Sequence, residues 1–81
     1  MTIIAISLLK LGVSVINTVI EELKTIPQVK KVMSLTGDYD VLIEIEIDTP
    51  EELFDIFANK IDLIHGISVS NTHMVMKAWE K

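Results

Sequence analysis

The chain has 81 residues, a length that predicts a single domain over residues 1–81. Apolar residues make up 49% of it, which excludes a disordered segment, and the formal charge of −5 without any arginine argues against nucleic-acid binding by this chain alone. The absence of cysteine excludes disulfides, cysteine-ligated zinc and a thiol nucleophile.

A first strand is predicted over residues 2–10, where isoleucine and leucine occupy both parities. This apolar run is far shorter than the roughly 20 residues of a membrane span, and no basic residue precedes it as in a signal peptide. We therefore expect no membrane segment and a cytoplasmic location.

Ser14 is a candidate N-cap for a helix over residues 15–25, which ends before Pro27. Its apolar stripe follows the helical period, with Ile16, Val19, Ile20, Leu23 and Ile26.

Two strands joined by a turn are predicted next. The first covers residues 29–36 and the second residues 41–48, where apolar and other residues alternate with period two. This alternation puts Glu44 and Glu46 on the face opposite the isoleucines. Gly37 lies in the intervening turn, so the two strands are interpreted as an antiparallel hairpin.

The start of the second helix has the strongest local signal. Thr49 is a candidate N-cap, Pro50 suits the first helical position, and Glu52 completes a capping box. An apolar stripe then leads to Gly66, a typical helix stop, through Leu53, Ile56, Phe57, Ile61 and Ile64. A last strand is predicted over residues 67–79, apolar on both parities and hence covered on both faces.

The order strand, helix, strand, strand, helix, strand predicts an α+β, ferredoxin-like βαββαβ fold. It would have a four-stranded antiparallel sheet and, because crossovers are right-handed, two helices on one face. The other sheet face then needs an apolar cover, since the chain has 29 isoleucine, valine and leucine residues. The simplest cover is a second copy, so we expect a sheet-to-sheet dimer.

Few side chains are arranged for catalysis. We find no Ser-His-Asp spacing, no glycine-rich phosphate loop and no metal-ligand pair at helical spacing, so no catalytic residue, cofactor or metal ligand is assigned. His65 suits a helix end, and His73 is interpreted as an interface or ligand contact. Glu44 and Glu46 are interpreted as a solvated strand face. The strand methionines are interpreted as fillers of core or interface gaps, namely Met33, Met74 and Met76.

The turn between the central strands has the composition to bind a zwitterion. Main-chain N–H groups near Gly37 can hold an α-carboxylate, and this is favoured by the lack of arginine. Asp38 or Asp40 can pair with an α-ammonium. The alternative is an ordinary hairpin turn in which Asp40 bonds to the local main chain.

Two motifs resemble a known family. They are the run Thr-Gly-Asp-Tyr-Asp-Val-Leu at residues 36–42, and Ile-His-Gly-Ile at residues 64–67 followed by Ser-Asn-Thr at residues 70–72. Together they resemble the effector domain, called RAM, of the leucine-responsive and asparagine regulators (Lrp/AsnC). The resemblance implies a ferredoxin-like domain that dimerises through its sheets and assembles further into octamer-like discs. It also implies small amino-acid effectors bound in clefts between dimers.

On this resemblance the hairpin turn would contact the charged groups of the ligand, and two hydroxyl residues of the last strand would line the cleft. The ligand-binding residues would be Thr36, Gly37, Asp38, Tyr39, Asp40, Ser70 and Thr72. His65 replaces the family's proline, and Ser70 replaces its first threonine. Full members begin with a helix-turn-helix, whereas this sequence begins at the first strand, so the resemblance implies a stand-alone version that does not read DNA itself.

The leading prediction is therefore an amino-acid-sensing module that acts by assembly, with a full-length regulator of the same family as a partner for transcription. A first alternative is an oligomerisation module without a ligand. A second is a small dimeric ferredoxin-like enzyme, such as a cofactor-free monooxygenase or an isomerase. It would need a polar group in a pocket between helices and sheet, for which His73 is the best available residue.

Overall fold

The computed structural model describes residues 2–81 and has the predicted order of elements. A short π-helical turn continues the second helix. The elements are β1 (Ile3–Leu11), α1 (Ile16–Leu23), β2 (Val29–Ser34), β3 (Val41–Ile47), α2 (Pro50–Ile56), the π-helical turn (Phe57–Ile61) and β4 (Ile67–Met74).

The four strands form one antiparallel sheet in the order β2-β3-β1-β4. The ferredoxin-like fold predicted from the sequence is confirmed. β1 lies in the centre, where Ser7 pairs with Ile43 of β3 and with Thr72 of β4. β2 and β4 are the edge strands. Lys30 and Lys31 are exposed on β2, at an irregularity in its pairing with β3.

Both helices pack on one face of the sheet, as predicted. The core on this side is built from alternate strand residues together with the apolar stripes of the helices. Its members are at most 5% exposed, namely Ala5, Leu9, Val19, Leu23, Ile26, Val41, Ile43, Ile45, Ile47, Ile56 and Ile61. Full burial of such side chains stabilises a fold by about 1.5–3 kcal/mol each, which makes this face the main source of stability.

The opposite side of the sheet, here called the open face, is not covered by a helix of residues 2–81. It carries the other parity of each strand, and its side chains are half-buried or exposed. Paired residues of neighbouring strands share a face, which places Lys31, Met33, Leu42, Glu44, Glu46, Ile4, Ile6, Leu8, Lys10, Val69, Asn71 and His73 together here. Glu44 and Glu46 lie on the predicted face and are half-buried between their neighbours.

The second helix begins as its sequence indicates. The Thr49 hydroxyl accepts a hydrogen bond from the Glu52 N–H at 3.2 Å, as in the predicted capping box. The Glu52 carboxylate accepts from the Asp48 N–H at 2.8 Å, one residue before the N–H that a regular capping box uses. Pro50 occupies the first helical position. The helix then widens into the π-helical turn, closed by the Asp62 N–H and the Phe57 carbonyl at 2.8 Å. The wider turn brings residues five apart onto one face, so that the stripe continues into the core.

The prediction that Ser14 caps the first helix is wrong. Val15 occupies the N-cap position and makes no side-chain cap. Ser14 instead has a φ of 63°, in the tight reversal that leads from β1 into α1. A residue in this left-handed conformation forms the turn itself and does not present its hydroxyl to the helix N-terminus.

The predicted last strand is too long. β4 ends at Met74, and the Val75 N–H makes one further bond to the Ile4 carbonyl at 2.8 Å. In this register Ile3, the first residue of β1, stands opposite Met76, so residues 77–79 have no strand residue beside them to pair with. Met76 and Trp79 are 99% and 79% exposed, outside the sheet.

Candidate functional site

The hairpin turn between β2 and β3 meets the end of β1 and the start of β4 at one end of the sheet. We call this junction the hairpin end. Asp40 fastens the turn to β1, because its N–H donates to the Leu9 carbonyl at 2.9 Å and its carboxylate accepts from the Leu11 N–H at 2.8 Å. The carboxylate thus bonds to the main chain of a strand 29 positions away, and not to the local main chain that the ordinary-turn interpretation assigned to it. The same bonds hold the carboxylate at a fixed position, half-buried beside β1.

Tyr39 joins the turn to β4. The Asn71 side-chain amide donates a hydrogen bond to the Tyr39 hydroxyl. The Tyr39 ring passes beside Lys10, whose Nζ lies 5.8 Å from the ring centroid. Asn71 pairs with Leu8, so this contact lies on the open-face side of the sheet. Neither Asn71 nor Lys10 was assigned to the site from the sequence.

The tip of the turn is exposed to solvent. Thr36, Gly37 and Asp38 form it, and the Leu35 N–H closes it through a bond to the Asp40 carbonyl at 2.9 Å. Gly37 has a φ of 103°, a backbone conformation that side-chain-bearing residues rarely adopt. Nothing lies within 4 Å of the place where a Cβ would stand, so the backbone conformation alone accounts for the glycine.

Ser70 and Thr72 point to the other side of the sheet from Asn71. Thr72 pairs with the buried Ser7, and the two hydroxyl oxygens lie 2.9 Å apart. Ser70 pairs with Leu9, which belongs to the core. The structure therefore separates the predicted residues into two sets. Tyr39 contacts β4 on the open-face side, and the two hydroxyl residues face the helix side.

The signal that would have found Asn71 is its place between Ser70 and Thr72. Alternate residues of a strand point to opposite faces, so a motif of three consecutive polar residues presents groups to both. Which group meets the turn depends on the pairing of β4 with β1, since Asn71 pairs with Leu8. The sequence pattern does not contain that register.

His73 lies on the open face, where it pairs with Ile6 and is exposed. It is not in a pocket between the helices and the sheet, which the enzyme alternative requires. Residues 2–81 contain no group of three or more side chains placed to hold a metal ion. Within the same residues, no helix is long and apolar enough to cross a membrane.

A cleft of about 370 Å³ lies away from the hairpin end, between the end of α1 and the residues after the π-helical turn. Glu22 and Lys60 line it from the two sides, together with Ile26 and Leu63. The hairpin end, in contrast, presents the turn tip on the surface. A ligand there would need walls from a second chain to be enclosed.

The family model for the Lrp/AsnC ligand-binding domain matches residues 2–81 of this chain. The chain belongs to this family. The match extends over β1 to β4 and includes the turn with its Tyr39 and Asp40 contacts. The predicted resemblance is thereby confirmed, and the family is one of ligand-binding domains.

Several solved structures share the fold over nearly the whole chain. A Thermus thermophilus protein is 26% identical with a TM-score of 0.89, over 98% of this chain and 99% of that one. E. coli AsnC is 19% identical with a TM-score of 0.89, over 94% of this chain and 52% of AsnC. A Neisseria meningitidis transcriptional regulator crystallised with L-Met is 15% identical with a TM-score of 0.90, over 98% of this chain and 53% of that one.

A segment similar in sequence to this chain occurs within a much longer curated protein. The chain is 41% identical over 61 residues to homocitrate synthase of Sulfurisphaera tokodaii. The match covers 75% of this chain and 13% of that enzyme. The chain therefore spans only a small part of the relative's length.

Proposed function

We propose that this Lrp/AsnC domain binds a small amino-acid effector at the hairpin end and converts binding into a change of assembly. The observation that carries the proposal is the junction at which Asp40 ties the turn to β1 and Tyr39 ties it to β4. The family membership and the L-Met complex of the Neisseria meningitidis regulator support an amino acid as the ligand.

The proposed roles follow the polarity of the groups. Asp38 and the remaining oxygen of Asp40 accept from the α-ammonium, and Thr36 and Gly37 present the turn tip to the ligand. Ser70 and Thr72 line the cleft from the helix side of β4. The tip is exposed, so a neighbouring chain completes the cleft, and the ligand favours the assembly in which that neighbour is present.

The unit of assembly is proposed to be a dimer through the open face. β1 presents Ile4, Ile6 and Leu8 there, and Leu42 and Met33 continue the apolar surface across β3 and β2. Packing a second sheet on this surface would remove it from water. Dimers then associate further through their hairpin ends, and a full-length regulator with the same surface is the proposed transcriptional partner.

A thermal-shift screen against the twenty amino acids, with light scattering on the same samples, tests the proposal. A ligand that binds only the folded assembly, at about 100 times its Kd, adds about 2.7 kcal/mol and raises the Tm by many degrees in a domain of this size. Asp38→Asn should reduce the shift, because the exposed turn loses an acceptor while the Asp40 bonds remain. Asp62→Asn, an exposed control outside the turn, should retain it.

An absence of any shift, with a mass that no amino acid changes, would contradict effector binding and favour a ligand-free oligomerisation module. A full shift in Asp38→Asn would instead contradict the assignment of Asp38 alone. A mass equal to one chain at all concentrations would contradict assembly through the open face.

The match within homocitrate synthase favours a second candidate, in which the domain senses an effector for an enzyme and not for a DNA-binding regulator. Sedimentation of this chain with that synthase lacking its matched segment, and separately with E. coli AsnC, distinguishes the two partners. Co-sedimentation with the synthase alone would support the second candidate. Co-sedimentation with AsnC alone would support the regulator.

A further inference from the structure

Lys10 is the one cation that the described part of the chain brings to the hairpin end. It lies at the end of β1, between the two residues whose main chain bonds to Asp40. Its side chain is exposed, and its Nζ is 5.8 Å from the centroid of the Tyr39 ring. The other cationic side chains lie on or beside α1, on β2, in the π-helical turn or in the tail, namely Lys24, Lys30, Lys31, Lys60, Lys77 and Lys81.

The groups at the hairpin end divide by hydrogen-bonding capacity. Lys10 has only donors. The Tyr39 hydroxyl accepts from Asn71, which leaves its own O–H free to donate outward. Asp40 and Asp38 have only acceptors in their ionised form, and one Asp40 oxygen is occupied by the Leu11 N–H. The hairpin end therefore carries both donors and acceptors, as a ligand with an anionic and a cationic group requires.

We infer that Lys10 binds the α-carboxylate of the amino-acid effector, with the Tyr39 hydroxyl as a second donor. The inference rests on the proposed function and adds to that function the orientation of the ligand. The ammonium then lies toward Asp38 and Asp40. The sequence pattern had assigned the carboxylate to main-chain N–H groups near Gly37, because the chain contains no arginine. A lysine ammonium supplies the missing charge as a compact point donor.

The Tyr39 ring holds the Lys10 ammonium near the position that carboxylate binding requires. A cation beside a tyrosine ring is held by the ring quadrupole, a weak attraction at an exposed site. The bond from Asn71 in turn fixes the ring, so the ammonium lies close to its binding position before the ligand arrives. Lys77 makes the same kind of contact with Trp79 at 5.2 Å, in the tail beyond β4, and thus provides a matched control.

The test compares each amino acid that binds in the twenty-member screen with its α-carboxamide, which lacks the negative charge. Isothermal titration gives Kd for both probes against the wild type, Lys10→Gln, Lys10→Arg and Lys77→Gln. We expect Lys10→Gln to weaken binding of the acid about tenfold, as for loss of a charge-assisted hydrogen bond, and to leave binding of the carboxamide unchanged. Lys10→Arg and Lys77→Gln should bind the acid about as tightly as the wild type.

Three outcomes are distinguishable. The assignment is supported if the Kd values of acid and carboxamide become equal in Lys10→Gln but stay different in the other proteins. This comparison measures the coupling between the lysine and carboxylate charges directly. Wild-type affinity of Lys10→Gln for the acid would overturn it, and would leave effector binding intact with the carboxylate held by the main chain. No binding of any amino acid by the wild type would overturn the proposed function, and the role of Lys10 with it. Unchanged Tm values of the free variants confirm that each is folded.

Discussion

The two faces of the sheet use the same kinds of residue but bury them to different degrees. On the helix side, Ile43 and Ile45 of β3 are fully buried. On the open face, Ile6 and Leu8 of the adjacent strand are only half-buried, and Met33 is 43% exposed. An apolar strand therefore does not show, by its composition, which of its faces the chain itself will cover. The helix side is the core of the folded chain, and the open face is the surface proposed for assembly.

The matched pair Ile43→Ala and Ile6→Ala tests this division with the largest expected effect. Ile43→Ala should lower the free energy of unfolding by about 3–4 kcal/mol at every protein concentration, since it leaves a cavity in the core. Ile6→Ala should cost about 1–2 kcal/mol in dilute solution and more at high concentration, where the proposed association would stabilise the wild type. Guanidinium unfolding at two protein concentrations measures both. An Ile6→Ala loss that is independent of concentration would contradict association through the open face.

A second pair, Gly66→Ala and Gly37→Ala, compares a packed turn with an unpacked one. Both glycines have a positive φ, at 106° and 103° respectively. A Cβ on Gly66 would stand 2.7 Å from Val15 Cγ2, whereas one on Gly37 would meet nothing within 4 Å. We expect losses of about 2–3 kcal/mol for Gly66→Ala and about 1 kcal/mol for Gly37→Ala, measured by thermal unfolding. Equal losses would show that the backbone conformation alone accounts for both destabilisations and that the Val15 contact contributes no further loss of stability.

A charge on the open face should have the smallest effect on folding. Leu8→Lys should change the unfolding free energy of the isolated chain by about 1 kcal/mol or less, because a lysine can extend into solvent there. It should nevertheless reduce the mass in light scattering to that of one chain, since a buried interface does not accept an unpaired ammonium. Phe54→Lys is the control, because Phe54 is 73% exposed on α2, away from the open face. An unchanged mass in Leu8→Lys would place the interface elsewhere.

Local patterns in the sequence were sufficient for most of the fold. The period-two alternation of β3 and the capping residues of α2 both depend on neighbours a few positions apart. The pairing of β3 and the bonds of Thr49 and Glu52 confirm both. The errors arise where the outcome depends on distant partners. β4 ends close to the first residue of β1, which leaves residues 77–79 without a strand to pair with, and Ser14 adopts the geometry required by the reversal between β1 and α1.

The hairpin end could be predicted only in part, for the same reason. The turn itself is local, and its sequence indicated a candidate site. Its contacts join Tyr39 to Lys10 and Asn71, residues separated by 29 and 32 positions, through the register of three strands. No periodicity within one segment contains that register. The division of Ser70 and Thr72 from Asn71 likewise depends on which face the helices cover.

The two edge strands differ in a way that limits how many chains can add to the sheet edge to edge. β2 carries Lys30 and Lys31 at an irregular edge, a combination that discourages a further strand from adding there. β4 contains no lysine, aspartate or glutamate, so it lacks that protection. If two chains met edge to edge, the pairing would be β4 to β4 and symmetric, and both outer edges of the resulting sheet would be β2. Such a sheet terminates after two chains instead of extending into a fibre.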